Sequence, residues 1–181
     1  MFQDLNIYSP IEMEDIDTFR VRPLQVFNVG NLQITPIALS HDALNTTGYV
    51  IEDGQEKLTY ITDTGYLNER YYPLIAGSDY IVMESNHDVQ MLMRTSRPQY
   101  VKARINSDEG HLNNEASAEI LNHVVRENTK VIYLAHISQQ GNTREKALHT
   151  VCDALRTHQG ALNPKLVVSA AGQFEMIQKG E

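Results

Sequence analysis

Along the chain, the apolar residues change their manner of grouping about a third of the way in. Before that point they form β-rich segments punctuated by turn residues. Residues 24–28 and 32–39 hinge at Gly30-Asn31, a hairpin-like turn, and 48–52 and 57–62 flank Asp53-Gly54, the strongest short hairpin signal in the sequence. Beyond it, 79–84 and 130–135 are continuous apolar runs, as expected of strands covered on both faces. Helical stripes lie between and after them. Ala116, Ile120, Leu121, Val124 and Val125 make one stripe, with the Asn113-Asn114 pair placed to cap it. Ala147, Leu148, Val151 and Leu155 make another, and a last strand over 165–168 follows Pro164. Antiparallel hairpins followed by β-α-β alternation predict an α/β layer with helices outside. No repeat or Pro/Gly/Ser-rich linker divides residues 1–181, which read as one domain with a poorly defined N-terminal segment over 1–23.

Composition narrows the class. A hydrophobic fraction of 41% and a mean hydropathy of -0.37 are ordinary for a soluble globular protein of 181 residues. No stretch approaches the roughly 18 apolar residues of a membrane span. The N-terminus offers no basic-then-apolar leader pattern but an acidic run of Glu12, Glu14, Asp15 and Asp17, read as a solvated loop. The single cysteine, Cys152, lies in a helical stripe as core filler, excludes an intrachain disulfide and suits the reducing cytoplasm. A formal net charge of -8 argues against broad wrapping of nucleic acid. It leaves one local exception: no acidic residue lies between Asp88 and Asp108, where Arg94, Arg97, Lys102 and Arg104 gather. A phosphate backbone could dock there.

The candidate chemistry collects at strand ends, where open α/β sheets hold their catalytic groups. His41-Asp42 follows the strand over 32–39, and Asp63 follows that over 57–62. Glu84 ends the strand over 79–84 and leads to His87 and Asp88. His136 follows the strand over 130–135, and His111 precedes a helix. A lone histidine at a strand end is usually structural, but several at one sheet edge suit Zn, Mn or Fe, which take imidazole and carboxylate ligands. His123, His149 and His158 lie on helical faces and read as surface residues.

Five strings occur in one order: Ser40-His41-Asp42-Ala43, Thr62-Asp63-Thr64-Gly65-Tyr66, Glu84-Ser85-Asn86-His87-Asp88, Gly110-His111-Leu112-Asn113-Asn114 and Leu134-Ala135-His136-Ile137-Ser138. In this the chain resembles the YycJ/WalJ/VicX family of metallo-β-lactamase-fold hydrolases, over about residues 24–155. The resemblance implies an αββα sandwich, here expected to be incomplete, and a centre of two divalent ions, Zn or Mn. It implies a phosphodiesterase activity, as in exonucleases that act on DNA. His41 takes the place of a ligand of the first metal, Asp63 of the bridging carboxylate and His136 of a ligand of the second. His111 takes the place of a catalytic histidine that meets the scissile phosphate beside Asp63. Arg97, Lys102, Arg104, Ser138 and Asn142 are expected to contact substrate, and Asp42, Glu84, His87 and Asp88 to orient the ligands.

Two departures are small: Asn113-Asn114 and Gly141-Asn142 stand where the family tends to have Ser-Asn and Asn-Asn. A third is large. The family also takes ligands from a His-x-His-x-Asp-His motif. The first histidine here is His41, and no two of the seven are separated by one residue. Each ion would keep one histidine and share Asp63, so weak or no metal binding is expected of this chain alone, and little or no activity. An uncovered sheet face is then expected to favour self-association. The alternative is a truncated pseudo-hydrolase serving as a binding or self-associating module.

Overall fold

A computed structural model describes residues 6–14 and 16–172. The strands are β1 (Ile7–Ser9), β2 (Thr18–Arg20), β3 (Phe27–Val29), β4 (Leu32–Ala38), β5 (Thr47–Glu52), β6 (Lys57–Ile61), β7 (Tyr80–Glu84), β8 (Val131–Ala135) and β9 (Val167–Ala170). The α-helices are α1 (Tyr72–Ile75), α2 (Val89–Arg94), α3 (Gln99–Ile105), α4 (Asn114–Val124) and α5 (Arg144–Arg156). β1 and β2 form a separate parallel pair, and the other seven strands make one sheet in chain order from β3 to β9.

Connection length explains the pairing. Short turns make β3 to β6 antiparallel, and the helix-bearing crossovers make β6 to β9 parallel. Parallel crossovers are right-handed. Strands added in one direction therefore send α1, α4 and α5 to the same face. Ile37, Val50, Ile61, Ile81, Met83, Ile132 and Leu134 on that face are buried with Leu121 and Val124 of α4 and Val151 and Leu155 of α5.

The other face has no such cover. Register partners share a face, which places Phe27, Ile34, Tyr49, Ile51, Leu58, Tyr60, Val82, Tyr133 and Val167 together. All of them keep some exposure, and Tyr60 and Val167 reach 44% and 49%. Pro36 and Val131 share that face and are buried, and among the described residues the face is apolar.

Several boundaries differ from the pattern. The first sheet strand is Phe27–Val29 because Leu24 adopts φ 63° in a turn and cannot extend. The last is Val167–Ala170, since the Asn163 side chain accepts from Lys165 N and holds the segment after Pro164 in a turn. The pattern of apolar residues does not predict β1, β2 or the short helices α1, α2 and α3. Asn113 caps α4 as expected, accepting from Ala116 N at 2.8 Å. Cys152 is only partly buried, His123 and His149 are exposed, and His158 is half-buried with Nδ1 on Asn122. Glu12, Glu14 and Asp17 are exposed, whereas Asp15 lies outside the described residues. No described helix is long and apolar enough to cross a membrane.

Candidate metal centre

The C-terminal ends of β6, β7 and β8 lie side by side, so the residues that follow them converge. Asp63 and His136 turn back over the sheet edge with φ of 61° and 56°, a left-handed conformation that costs non-glycine residues about 1–3 kcal/mol. That strain aims both side chains at one point: His136 Nε2 lies 3.6 Å from Asp63 Oδ1. His41, after β4, brings its Nε2 to 3.9 Å from the same oxygen. The His111 ring stands between, 5.0 Å from the rings of both His41 and His136.

Each imidazole is fixed from behind. Gly110 O lies 2.9 Å from His41 Nδ1, and a carbonyl can only accept, so Nδ1 carries the proton and Nε2 presents a lone pair. Glu84 Oε1 accepts from both His111 Nδ1 and His136 Nδ1 at 2.8 Å, while Oε2 accepts from Thr64 N at 2.8 Å. Glu84 is fully buried. Burial pushes its carboxyl up, but the bonds from His111, His136 and Thr64 outweigh this and hold it below the usual carboxylate range. The bond to Glu84 conversely raises His136 above an ordinary histidine, against the opposing effect of burial. Carboxylate-backed imidazoles with outward Nε2 atoms are the arrangement that metal sites use to set tautomer and ring orientation.

Two sets of side chains offer ligand atoms within 4.8 Å of one another: His41, Asp63 and His111, and Glu84, His111 and His136. Glu84 has both oxygens engaged, so the outward-facing donor set is three imidazoles and one carboxylate. Those donors fit Zn or Mn. His111 lies close enough to serve as a ligand itself, which the sequence reading had not assigned to it.

The expected orienting residues divide. Glu84 has that geometry. Asp42 lies 3.5 Å from His41 Nε2 and pairs with Arg104, whose guanidinium lowers its carboxyl. His87 does not touch the four: it is buried, Nε2 meets Asn106 at 3.0 Å and Nδ1 has no partner. Asp88 is the N-cap of α2, accepting from Met91 N at 2.8 Å.

The expected substrate contacts divide as well. Arg97, Arg104 and Ser138 line a cleft of about 480 Å³ together with His111 and His136. Lys102 is a correction: it is buried, and Nζ donates to Met93 O at 2.8 Å, closing the end of α2 rather than facing the cleft. Asn142 is another, being buried with its amide on Ser85 O, Asn86 O and Asn114 Oδ1. Three supporting residues went unremarked in sequence. Thr64 bonds Glu84 through its backbone, and Asn86 Nδ2 holds His136 O at 2.8 Å. A Cβ on Gly110 would collide with the carbonyls of Arg104 and Ile105. All three lie inside the five strings, which was their only signal.

Comparison with known proteins shows the family. Residues 3–137 match the family described as Beta-lactamase superfamily domain. The chain is 39% identical over 137 residues to exodeoxyribonuclease YycJ of Bacillus anthracis, covering 76% of this chain and 51% of that protein. It is 36% identical over 126 residues to exodeoxyribonuclease WalJ of Streptococcus pneumoniae, covering 70% of this chain and 47% of that one. It spans about half the length of these relatives. The metallo-β-lactamase fold protein YhfI of Bacillus subtilis superposes with a TM-score of 0.60 at 17% identity, over 86% of this chain and 53% of YhfI.

Proposed function

This chain belongs to the metallo-β-lactamase superfamily, in its YycJ/WalJ group, and from that premise we propose that it bears a phosphodiesterase centre for DNA that uses Zn or Mn. The observation that carries the reading is the convergence of His41, Asp63, His111 and His136 on one point beside a cleft with Arg97 and Arg104. Divalent ions bound there supply Lewis-acid polarisation of a phosphoryl oxygen and a water acidic enough to attack at neutral pH. The protein's own groups do the rest. Asp63 presents Oδ1 to both His41 Nε2 and His136 Nε2 and would hold the metals together with them. His111 donates Nδ1–H to Glu84, which fixes its ring with Nε2 outward. From there it faces the leaving oxygen and assists its departure. Arg97 and Arg104 on the cleft wall fix the phosphate backbone.

In the same reading Asp42 and Glu84 orient the ligands, and Ser138 borders the bound strand. DNA and a single, unpaired Cys152 both fit a cytoplasmic setting. With two imidazoles and one shared carboxylate for two ions, affinity is low and the chain alone turns over slowly. The test is cleavage of a 5′-labelled DNA duplex with Mn or Zn, by the wild type and by D63N and H111A. Metal-dependent cleavage abolished by either substitution supports the reading. Cleavage by both variants at the wild-type rate refutes it.

A second reading is favoured by the apolar sheet face. The chain then works as a binding or self-associating module, and two copies cover that face. Light scattering decides it: a dimer that Y60E dissociates supports this reading, and a wild-type monomer at 100 μM (on the order of the weakest useful dimer affinity) opposes it.

A further inference from the structure

A second hollow, of about 450 Å³, lies beside His41. Its lining holds Arg20 and Arg22, apolar Val21, Pro23 and Leu39, and polar Asn45 and Thr46. Arg22 is exposed and has no acidic partner among the described residues. Arg20 pairs with Glu12 at 2.8 Å, both of them exposed, which leaves Arg22 to meet an anion. An arginine beside apolar and hydroxyl side chains suits one nucleotide unit, a phosphate joined to a sugar and a flat base. The volume is at the lower end of the range for small-molecule sites, enough for one such unit and too little for a duplex.

The placement is what gives the hollow a role. His41 belongs to its wall, whereas His111 and His136 belong to the wall of the Arg97 and Arg104 cleft. The rings of His41 and His136 each stand 5.0 Å from that of His111, so the two hollows border one centre. A strand held at that centre has a neighbouring nucleotide on the His41 side.

Resting on the proposed phosphodiesterase reading, we propose that the Arg20/Arg22 hollow is a second nucleotide-binding subsite. It takes the nucleotide that flanks the scissile phosphate on the His41 side of the centre.

The experiment is fluorescence anisotropy of the full chain with a labelled single-stranded DNA 12-mer from about 50 to 200 mM NaCl. Each phosphate contact on a single strand contributes about 0.7 to the slope of log affinity against log salt. R22A is expected to lower the slope by about 0.7, R97A by the same amount, and the double variant by about 1.4. R22E guards against a merely weakened contact and is expected to lower the affinity further, with an unchanged circular dichroism spectrum for all variants. A slope lowered by R97A but untouched by R22A and R22E overturns this subsite and leaves the phosphodiesterase reading standing. A wild-type chain that does not bind the 12-mer, or binds with no response to either arginine, overturns both.

Discussion

Substituting Glu84 by Gln tests the centre at the residue on which its geometry depends. The change is nearly isosteric, so packing is preserved and only charge and donor pattern alter. Glu84 accepts three hydrogen bonds, from His111, His136 and Thr64. An amide cannot accept all three. With its oxygen toward the histidines, its NH2 faces the Thr64 N–H, donor against donor. With its NH2 toward them, both imidazoles must move their protons to Nε2 and lose the outward lone pairs. Hydrogen bonds to a charged group are worth about 1.5–3 kcal/mol each, and part of one or two is retained, which leaves a net loss of about 2–4 kcal/mol. The sign is fixed by Glu84 itself: its folded pKa lies below the ordinary 4.5, so the fold favours the charged form. That stabilisation is present above the unfolded value and is lost as pH falls through the lower folded one, a slope E84Q lacks. For a chain this long the melting temperature drops by about 5–15 °C. Affinity for Zn, titrated against a chromophoric chelator, falls by about 10–100-fold. Imidazole nitrogen spectra read the tautomers directly and need no metal. Unchanged tautomers at His111 and His136, with a melting temperature within about 2 °C of wild type, would refute the reasoning.

Three further predictions follow from neighbouring residues. G110A drives a Cβ into the carbonyls of Arg104 and Ile105, costing about 1–3 kcal/mol by chemical denaturation and pulling Gly110 O from His41; wild-type stability would show that the loop yields freely. D63G relieves the strain at φ 61°, so stability stays within about 1 kcal/mol of wild type while metal binding is lost, and a drop beyond about 2 kcal/mol contradicts the assignment of that strain. Burial lowers the pKa of His87, so the folded chain binds fewer protons there than the unfolded chain, and stability is lost as pH falls below 6.5 through the folded value. The raised pKa of His136 contributes with the opposite sign, so the measurement is the difference between wild type and H87L, expected to grow toward acid by at most about 1.4 kcal/mol per pH unit; a difference independent of pH contradicts it.

The α/β class, the Asp53-Gly54 hairpin, the α4 cap at Asn113 and the strand-end positions of His41, Asp63, Glu84 and His136 were all legible in the chain, because each depends on local periodicity or on one or two turn residues. The five ordered strings carried the family for a related reason: groups that must meet at a sheet edge keep their places relative to the strands that end there. Local pattern says nothing about what lies across a cleft. Lys102 and Arg104 are two residues apart on one helix, and only packing decides that the first is buried against Met93 O while the second pairs with Asp42. Asn142 resembles a surface polar residue until Ser85, Asn86 and Asn114 surround it. The tertiary structure likewise decided that one buried carboxylate, Glu84, holds two imidazoles 25 residues apart in sequence, His111 and His136, with their Nε2 atoms outward. It alone revealed that Arg20 and Arg22 share a hollow with His41. Sequence sets which groups stand at the ends of strands; the order in which those strands pair, and the single face to which their crossovers send the helices, sets which of them meet.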